Sequence, residues 1–183
     1  RFSDIPGLDN EKKRLIDSFK SNTIHHAILF SGQKGSANLS LSLAFSTYIN
    51  CEQKSEKDSC GECSSCIKMD KLIHPDCNFV FPVAPTPKIN KEVISDKFIE
   101  SWRSSVIESP YLSIDDWFEI YGFDDNLNKI ESAANIFKTT ISQGNKIISC
   151  GSVFSAISKI FLNSPSLRLK ILPSSLIEFI FFM

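Results

Sequence analysis

The stretch Ala27-Ile28-Leu29-Phe30-Ser31-Gly32-Gln33-Lys34-Gly35-Ser36 decides how the chain is read. Four apolar residues run without interruption and stop at Ser31-Gly32, the pattern of a buried strand entering a loop. Residues 36–50 then place Leu39, Leu43 and Ala44 on one helical face. Strand, glycine loop and helix in that order open an α/β nucleotide-binding fold, although an ordinary strand-turn-helix connection reads the same way. Upstream, residues 1–24 predict a short lead and a helix, with Asp9 or Asn10 as cap, Glu11 in the first turn, and Leu15, Ile16 and Phe19 on one face. Downstream, Asn78-Phe79-Val80-Phe81-Pro82-Val83 predicts a second buried strand, and the Pro-containing residues 84–90 a loop. Residues 91–108 predict a helix through Val93, Ile94, Phe98 and Trp102, and residues 113–122 a further aromatic-rich amphipathic segment. Strands 27–30 and 78–83 are expected in one mostly parallel sheet with helices on both faces.

Bulk composition narrows the function classes. The 183 residues suit one domain, and a hydrophobic content of 42% against 22% charged allows a real core. A formal net charge of −1 gives no global electrostatic case for a nucleic-acid or membrane binder. No run approaches the ~18 apolar residues of a membrane span. Arg1-Phe2-Ser3-Asp4 has no signal-peptide pattern, so a reducing cytoplasm is the expected compartment. Without an initiator Met, the chain is expected to be a fragment. The composition shifts near residue 131: the tail 131–183 has Glu131 and Glu178 as its acids against Lys138, Lys146, Lys159, Arg168 and Lys170.

The glycine loop fails the test for a working phosphate loop, G-x-x-x-x-G-K-[ST]. Counted from Gly32, with Gly35 inside the loop, the second glycine position is Ala37, the lysine position Asn38 and the magnesium-binding hydroxyl position Leu39. Ser40 is one residue late, and Lys34 is on the wrong side. No cation is offered to the β/γ-phosphates and no protein ligand to magnesium, so hydrolysis is not expected and ATP binding is doubtful. The acidic partner of such a loop belongs at the end of a later strand. The candidate, Lys146-Ile147-Ile148, runs into Ser149-Cys150-Gly151-Ser152 with no carboxylate.

Cysteines carry the sharpest spacing. Four of six fall in sixteen residues as Cys51-x8-Cys60-x2-Cys63-x2-Cys66. Four thiolates satisfy tetrahedral Zn²⁺ and leave no open position, which makes the site structural rather than catalytic. Two-residue gaps aim successive sulfurs at one point, Gly61 helps the chain fold back, and Cys51 enters from the end of the preceding helix. Free or disulfide-bonded cysteines are the bland alternative, disfavoured by the spacing and the compartment. His74 and Cys77 are further candidates, Cys77 better read as a small buried hydrophobe.

Together these residues resemble the bacterial DNA polymerase III clamp-loader family, and among its members the delta-prime subunit. The resemblance rests on Phe2-x2-Ile5-x-Gly7, on His26-Ala27-Ile28-Leu29-Phe30-x-Gly32-x2-Gly35, on the cysteine insertion directly after the loop helix, and on His74-Pro75-Asp76. It extends in character to about residue 130, through residues 78–83 and Ser113-x3-Trp117. It implies an α/β fold with an AAA+/P-loop-type parallel sheet, flanking helices and a small zinc-binding insertion at 51–66. It also implies a non-hydrolysing subunit of a hetero-oligomeric ring that, through its other clamp-loader subunits, loads a sliding clamp onto primer-template DNA. On this reading the chain is the front part of a longer protein, because the family's arginine motif, lid and C-terminal oligomerising domain would follow. After about residue 131 the family pattern is disturbed: Leu169-Lys170-Ile171-Leu172-Pro173 lacks the family's two glutamates, and Ile177 to Phe182 is the next expected core strand.

Two other readings stay open. A gamma/tau-like clamp-loader ATPase is opposed by Ala37, Asn38 and Leu39. A stand-alone zinc module is possible, and its mixed flank of Lys54, Glu56, Lys57, Asp58 and Glu62 suits a protein-facing or structural knob better than a nucleic-acid surface.

Overall fold

The computed structural model describes residues 1–25, 27–33, 35–123, 146–150 and 177–182. A 3₁₀ turn at Phe2–Asp4 leads into helix α1 (Asp9–Lys20), strand β1 (Ala27–Gly32) and helix α2 (Asn38–Asn50). Helix α3 (Ser64–Asp70), strand β2 (Cys77–Val80), a 3₁₀ turn (Ser95–Phe98), α4 (Ile99–Glu108) and α5 (Ile114–Tyr121) follow, and β3 (Lys146–Cys150) and β4 (Ile177–Phe182) complete the described elements. None of the described helices is long and apolar enough to cross a membrane.

The four strands form one sheet in the order β1-β4-β3-β2. The two expected strands therefore share a sheet, but at its opposite ends. The expectation of a mostly parallel sheet needs correction. β2 and β3 are parallel, with Cys77 opposite Lys146 and Val80 opposite Ser149. β4 runs antiparallel to both neighbours, with Ile147 and Ala27 each opposite Phe182. Ile177-Glu178-Phe179-Ile180-Phe181-Phe182 is a nearly continuous apolar run, and such a run satisfies both faces of a sheet whichever way it points. Its pattern therefore predicts a strand but not its direction.

Three boundaries also move. The cap of α1 is Leu8, in the left-handed region at φ 57°, with no side-chain cap; Asp9 lies inside the first turn, where its carboxylate faces the positive helix end. β2 stops at Val80 because Pro82 has no N–H to give a ladder. Side chains satisfy the backbone there instead: Ser95 Oγ accepts from Phe81 N at 3.2 Å and donates to Phe81 O at 2.8 Å, and Trp117 Nε1 donates to Pro82 O at 3.0 Å. The α-helix predicted from 91 begins at Ile99, since Glu92 has φ 49° and Ile94 is extended.

One core joins α1, α2, α4, α5, β1 and β2. α2 packs against α1, β1 and β4 and is buried nearly all round, so its hydroxyls turn inward onto its own carbonyls. Ser42 donates to Leu39 O at 2.8 Å, Ser46 to Ser42 O at 2.7 Å and Thr47 to Leu43 O at 2.9 Å. At the other side Trp117, fully buried, meets Phe81 and Trp102 edge-on, their centroids 5.5 and 5.2 Å away, while Phe81 and Trp102 stack at 4.4 Å. α5 arrives there through a capping box, Ser113 with Asp116, and stops at Gly122 with φ 73°, a left-handed turn that favours glycine.

Candidate metal centre and the glycine loop

α2 connects the two sites proposed from the sequence, beginning at the glycine loop and ending at Cys51. Cys51 is the C-cap of α2 in extended geometry, so its thiol leaves the helix axis toward the loop that follows. That loop is tightened by Ser55, whose Oγ accepts from Asp58 N at 2.9 Å and whose N–H donates to Asp58 O at 2.8 Å. Gly61 has φ 80°, and a methyl group there would meet the Arg1 side chain at 3.0 Å. Cys63 is the N-cap of α3 and accepts from Cys66 N at 3.5 Å, which sets Cys63 and Cys66 one turn apart.

These local turns bring Cys51, Cys60, Cys63 and Cys66 together, with every Sγ within 4.8 Å of the others. Cys51 and Cys60 are 3.5 Å apart, Cys60 and Cys66 3.9 Å, and Cys51 and Cys63 4.0 Å. Tetrahedral Zn–S bonds of about 2.3 Å place their sulfurs about 3.8 Å apart, so the four could hold such an ion. Backbone N–H groups also aim at the sulfurs: Cys60 N lies 3.3 Å from Cys51 Sγ, and Cys63 N lies 3.3 Å from Cys60 Sγ. The donors divide the thiols electrostatically. The N–H of Glu52, with that of Cys66, outweighs burial and brings Cys63 down to about 6. The N–H groups of Glu62 and Cys63 lower Cys60. Burial pushes Cys51 and Cys66 up. A cation at the centre would favour the thiolate at all four. Cys51, Cys63 and Cys66 are buried, and Cys60 is half-buried.

The two extra candidates lie elsewhere. His74 Nδ1 accepts from Asp76 N at 3.2 Å, which leaves Nε2 to carry the proton toward Ser65 Oγ at 3.2 Å. Cys77 is buried in the main core as a small hydrophobe. Sequence reasoning had missed Asp58, which ties the cysteine loop to the start of the chain. Its carboxylate accepts from Phe2 N at 3.0 Å, Ser3 N at 2.8 Å and Ser59 N at 2.8 Å. Burial raises its pKa, but these N–H groups outweigh it and hold the carboxyl below the ordinary Asp range. The hint lay in Ser55-x2-Asp58, a side-chain-closed turn.

At the other end of α2, Gly32 closes β1, Gly35 has φ 78°, and Ala37 is an N-cap without a capping side chain. Leu39 is buried in the core, so the position of the magnesium ligand is a packing position. A methyl group on Gly32 would lie 2.6 Å from Ser36 Oγ and 2.9 Å from both amide atoms of Asn38, which puts the Asn38 side chain back over the loop. The strand expected to bring the carboxylate, β3, spans Lys-Ile-Ile-Ser-Cys, whereas β4, which lies between it and β1, has Glu178 in register with Ser31. Lys34 and His26 lie outside the described residues.

Comparison with known proteins gives one consistent group. A family profile described as "DNA polymerase III, delta subunit" matches residues 7–145. The chain is 30% identical over 89 residues to the DNA polymerase III subunit delta' of Yersinia pestis, which covers 49% of this chain and 26% of that protein. It is 34% identical over 71 residues to the delta' subunit of Escherichia coli K12, covering 39% and 21%. The subunit tau/gamma of Haemophilus influenzae is 35% identical over 65 residues, covering 36% and 9%. The chain thus spans about a quarter or less of the curated relatives it matches.

Proposed function

Because the chain belongs to the DNA polymerase III clamp-loader family, we propose that it serves there as a non-hydrolysing, delta-prime-like subunit whose cysteine module holds a structural zinc ion. The carrying observation is the composition of the loop before α2: Asn38 where the cation belongs, and Leu39, buried, where the magnesium ligand belongs. Phosphoryl transfer depends on positioned positive charge and metal, and β3 supplies no carboxylate to complete the set. In such a subunit the value of the domain lies in rigidity and surfaces. Other clamp-loader subunits are its partners in a hetero-oligomeric ring, and the sliding clamp and primer-template DNA are reached through that ring.

For zinc, the four converging sulfurs are the support, and Cys51, Cys60, Cys63 and Cys66 are the ligands. The ion supplies cross-linking alone, since four sulfurs leave no position for water. The chain's own groups do the rest: α2 and α3 present Cys51, Cys63 and Cys66, and the Asp58 carboxylate docks the loop on the backbone of Phe2 and Ser3.

ATP turnover by the purified chain tests the reading. Background hydrolysis, together with association with the family's ATPase subunits, is the expected result. Turnover that disappears on mutating residues 32–40 would replace it with a tau/gamma-like ATPase.

A further inference from the structure

The four sulfurs are not equivalent, and the differences single out one pair. Cys51, Cys63 and Cys66 are buried, whereas Cys60 is half-buried and is the point at which a solute meets the cluster. Cys51 Sγ lies 3.5 Å from it, closer than Cys66 Sγ at 3.9 Å. Cys51 and Cys60 also sit at the two ends of the eight-residue gap, the longest in the module, so the chain between them can adapt to a covalent link. Cys60 is separated from Cys63 by two residues, and Cys63 from Cys66 by two, with Cys63 and Cys66 held by the first turn of α3.

We propose that the cysteine module is an oxidation-sensitive clip in which the Cys60 thiolate attacks a hydroperoxide and the chain resolves the product as a Cys51–Cys60 disulfide, a change that would release a bound metal. The step balances with a hydroperoxide as the only oxidant. The Cys60 thiolate attacks the peroxide, an S–O bond forms, the O–O bond breaks and hydroxide leaves (an alkoxide from an alkyl hydroperoxide). The Cys51 thiolate then attacks the Cys60 sulfur, the S–S bond forms, and a second hydroxide departs. Two electrons pass from two thiolates to one peroxide. Cys63 and Cys66 alone would remain to hold a zinc ion, too few ligands for a closed site, so the ion would be lost.

The consequence stays local. Cys51 caps α2 and Asp58 holds the backbone of Phe2 and Ser3, so a link across residues 51–60 reshapes the loop that anchors the start of the chain. The main core contains none of the four cysteines and is untouched.

The inference rests on the zinc reading, and the experiment separates the two. Zinc in the purified chain is measured first, and a metal-free folded protein overturns the zinc reading itself. The zinc-loaded chain is then titrated with hydrogen peroxide while released zinc is followed with a chromogenic chelator and disulfides are mapped by mass spectrometry after thiol blocking. The expected result is one zinc released per disulfide, with peptides joining Cys51 to Cys60 dominating at substoichiometric peroxide. Cys77→Ser should leave the release rate unchanged. Zinc retained under peroxide, or a first disulfide through Cys63 and Cys66, overturns the clip while leaving the zinc reading intact.

Discussion

The two ends of α2 present two small loops built by neighbouring stretches of chain, and they differ in what they retain. At the N-terminal end, Gly32 closes β1 and Gly35 stands in the loop before α2, but Asn38 and buried Leu39 occupy the positions where a phosphate loop has its charge and metal ligand. At the C-terminal end, Cys51, Cys60, Cys63 and Cys66 bring four thiols within 4.8 Å of one another, a set that could hold a metal ion. A phosphate loop is useful only for binding and chemistry, whereas a structural metal site is useful whenever the surrounding loop must hold its shape. A domain kept for its rigidity can lose the first and still need the second.

The largest effect expected is at the retained end. Structural zinc contributes an apparent ~10–16 kcal/mol in isolated zinc-finger peptides. If the module holds zinc as proposed, chelation or Cys63→Ser should remove the metal and the hydrogen-exchange protection of residues 51–66. Protection in α4 and α5 should survive, because the thiols form a cluster separate from the main core. Loss of protection throughout the chain would mean that the two ends of α2 unfold as one unit.

The reverse experiment sharpens the separation. Trp117 is fully buried, packs edge-on against Phe81 and Trp102, and donates to Pro82 O. Trp117→Ala should cost about 3–5 kcal/mol in denaturant unfolding. Zinc stoichiometry in native buffer should stay at the wild-type value.

A smaller effect is expected where the cysteine loop touches the start of the chain. Asp58→Asn leaves the backbone N–H groups of Phe2 and Ser3 facing a weaker acceptor. Asp58 is half-buried and still in partial contact with water, so the cost should be on the order of 1 kcal/mol. Its folded pKa is depressed, so its contribution is complete above the ordinary Asp value near ~3.9 and is lost as pH falls through the lower folded value. Compared at equal zinc loading, wild type and variant should differ by a constant amount at neutral pH, and the difference should shrink as pH falls through the lowered Asp58 value. Convergence already near neutrality would assign the anchor to another group.

The sequence made some of this legible and hid the rest for physical reasons. The x8, x2, x2 spacing named all four sulfurs, because two-residue gaps and a helix end leave a turn little choice. Strand 27–30 and the helix expected over 36–50, which starts at Asn38, were legible from apolar runs and helical spacing. The direction of β4 was not, since an apolar run on a two-sided sheet carries no polarity. Neither was the end of β2: Phe81 and Pro82 are satisfied by Ser95 and Trp117, contacts from 14 and 35 residues away. Asp58 escaped for the same reason, as its partners lie 55 and 56 residues earlier.

The smallest effect expected is at the other end of α2, where the proposed absence of hydrolysis can be tested most directly. Asn38→Lys restores the cation at the position where a phosphate loop carries it. If the missing charge alone silenced the loop, this single change should yield ATP turnover. The other absences predict otherwise. Leu39 is part of the core and offers no hydroxyl to magnesium, and β3, spanning Lys-Ile-Ile-Ser-Cys, has no carboxylate. Position 38 is partly exposed at the first turn of α2, so the substitution should change stability by no more than about 0.5 kcal/mol. Phosphate release should therefore stay at the parental background, with the fold and the zinc content preserved. Turnover clearly above that background would break the contrast between the two ends of α2, because the loop would then be one residue away from activity rather than dismantled at three separate points.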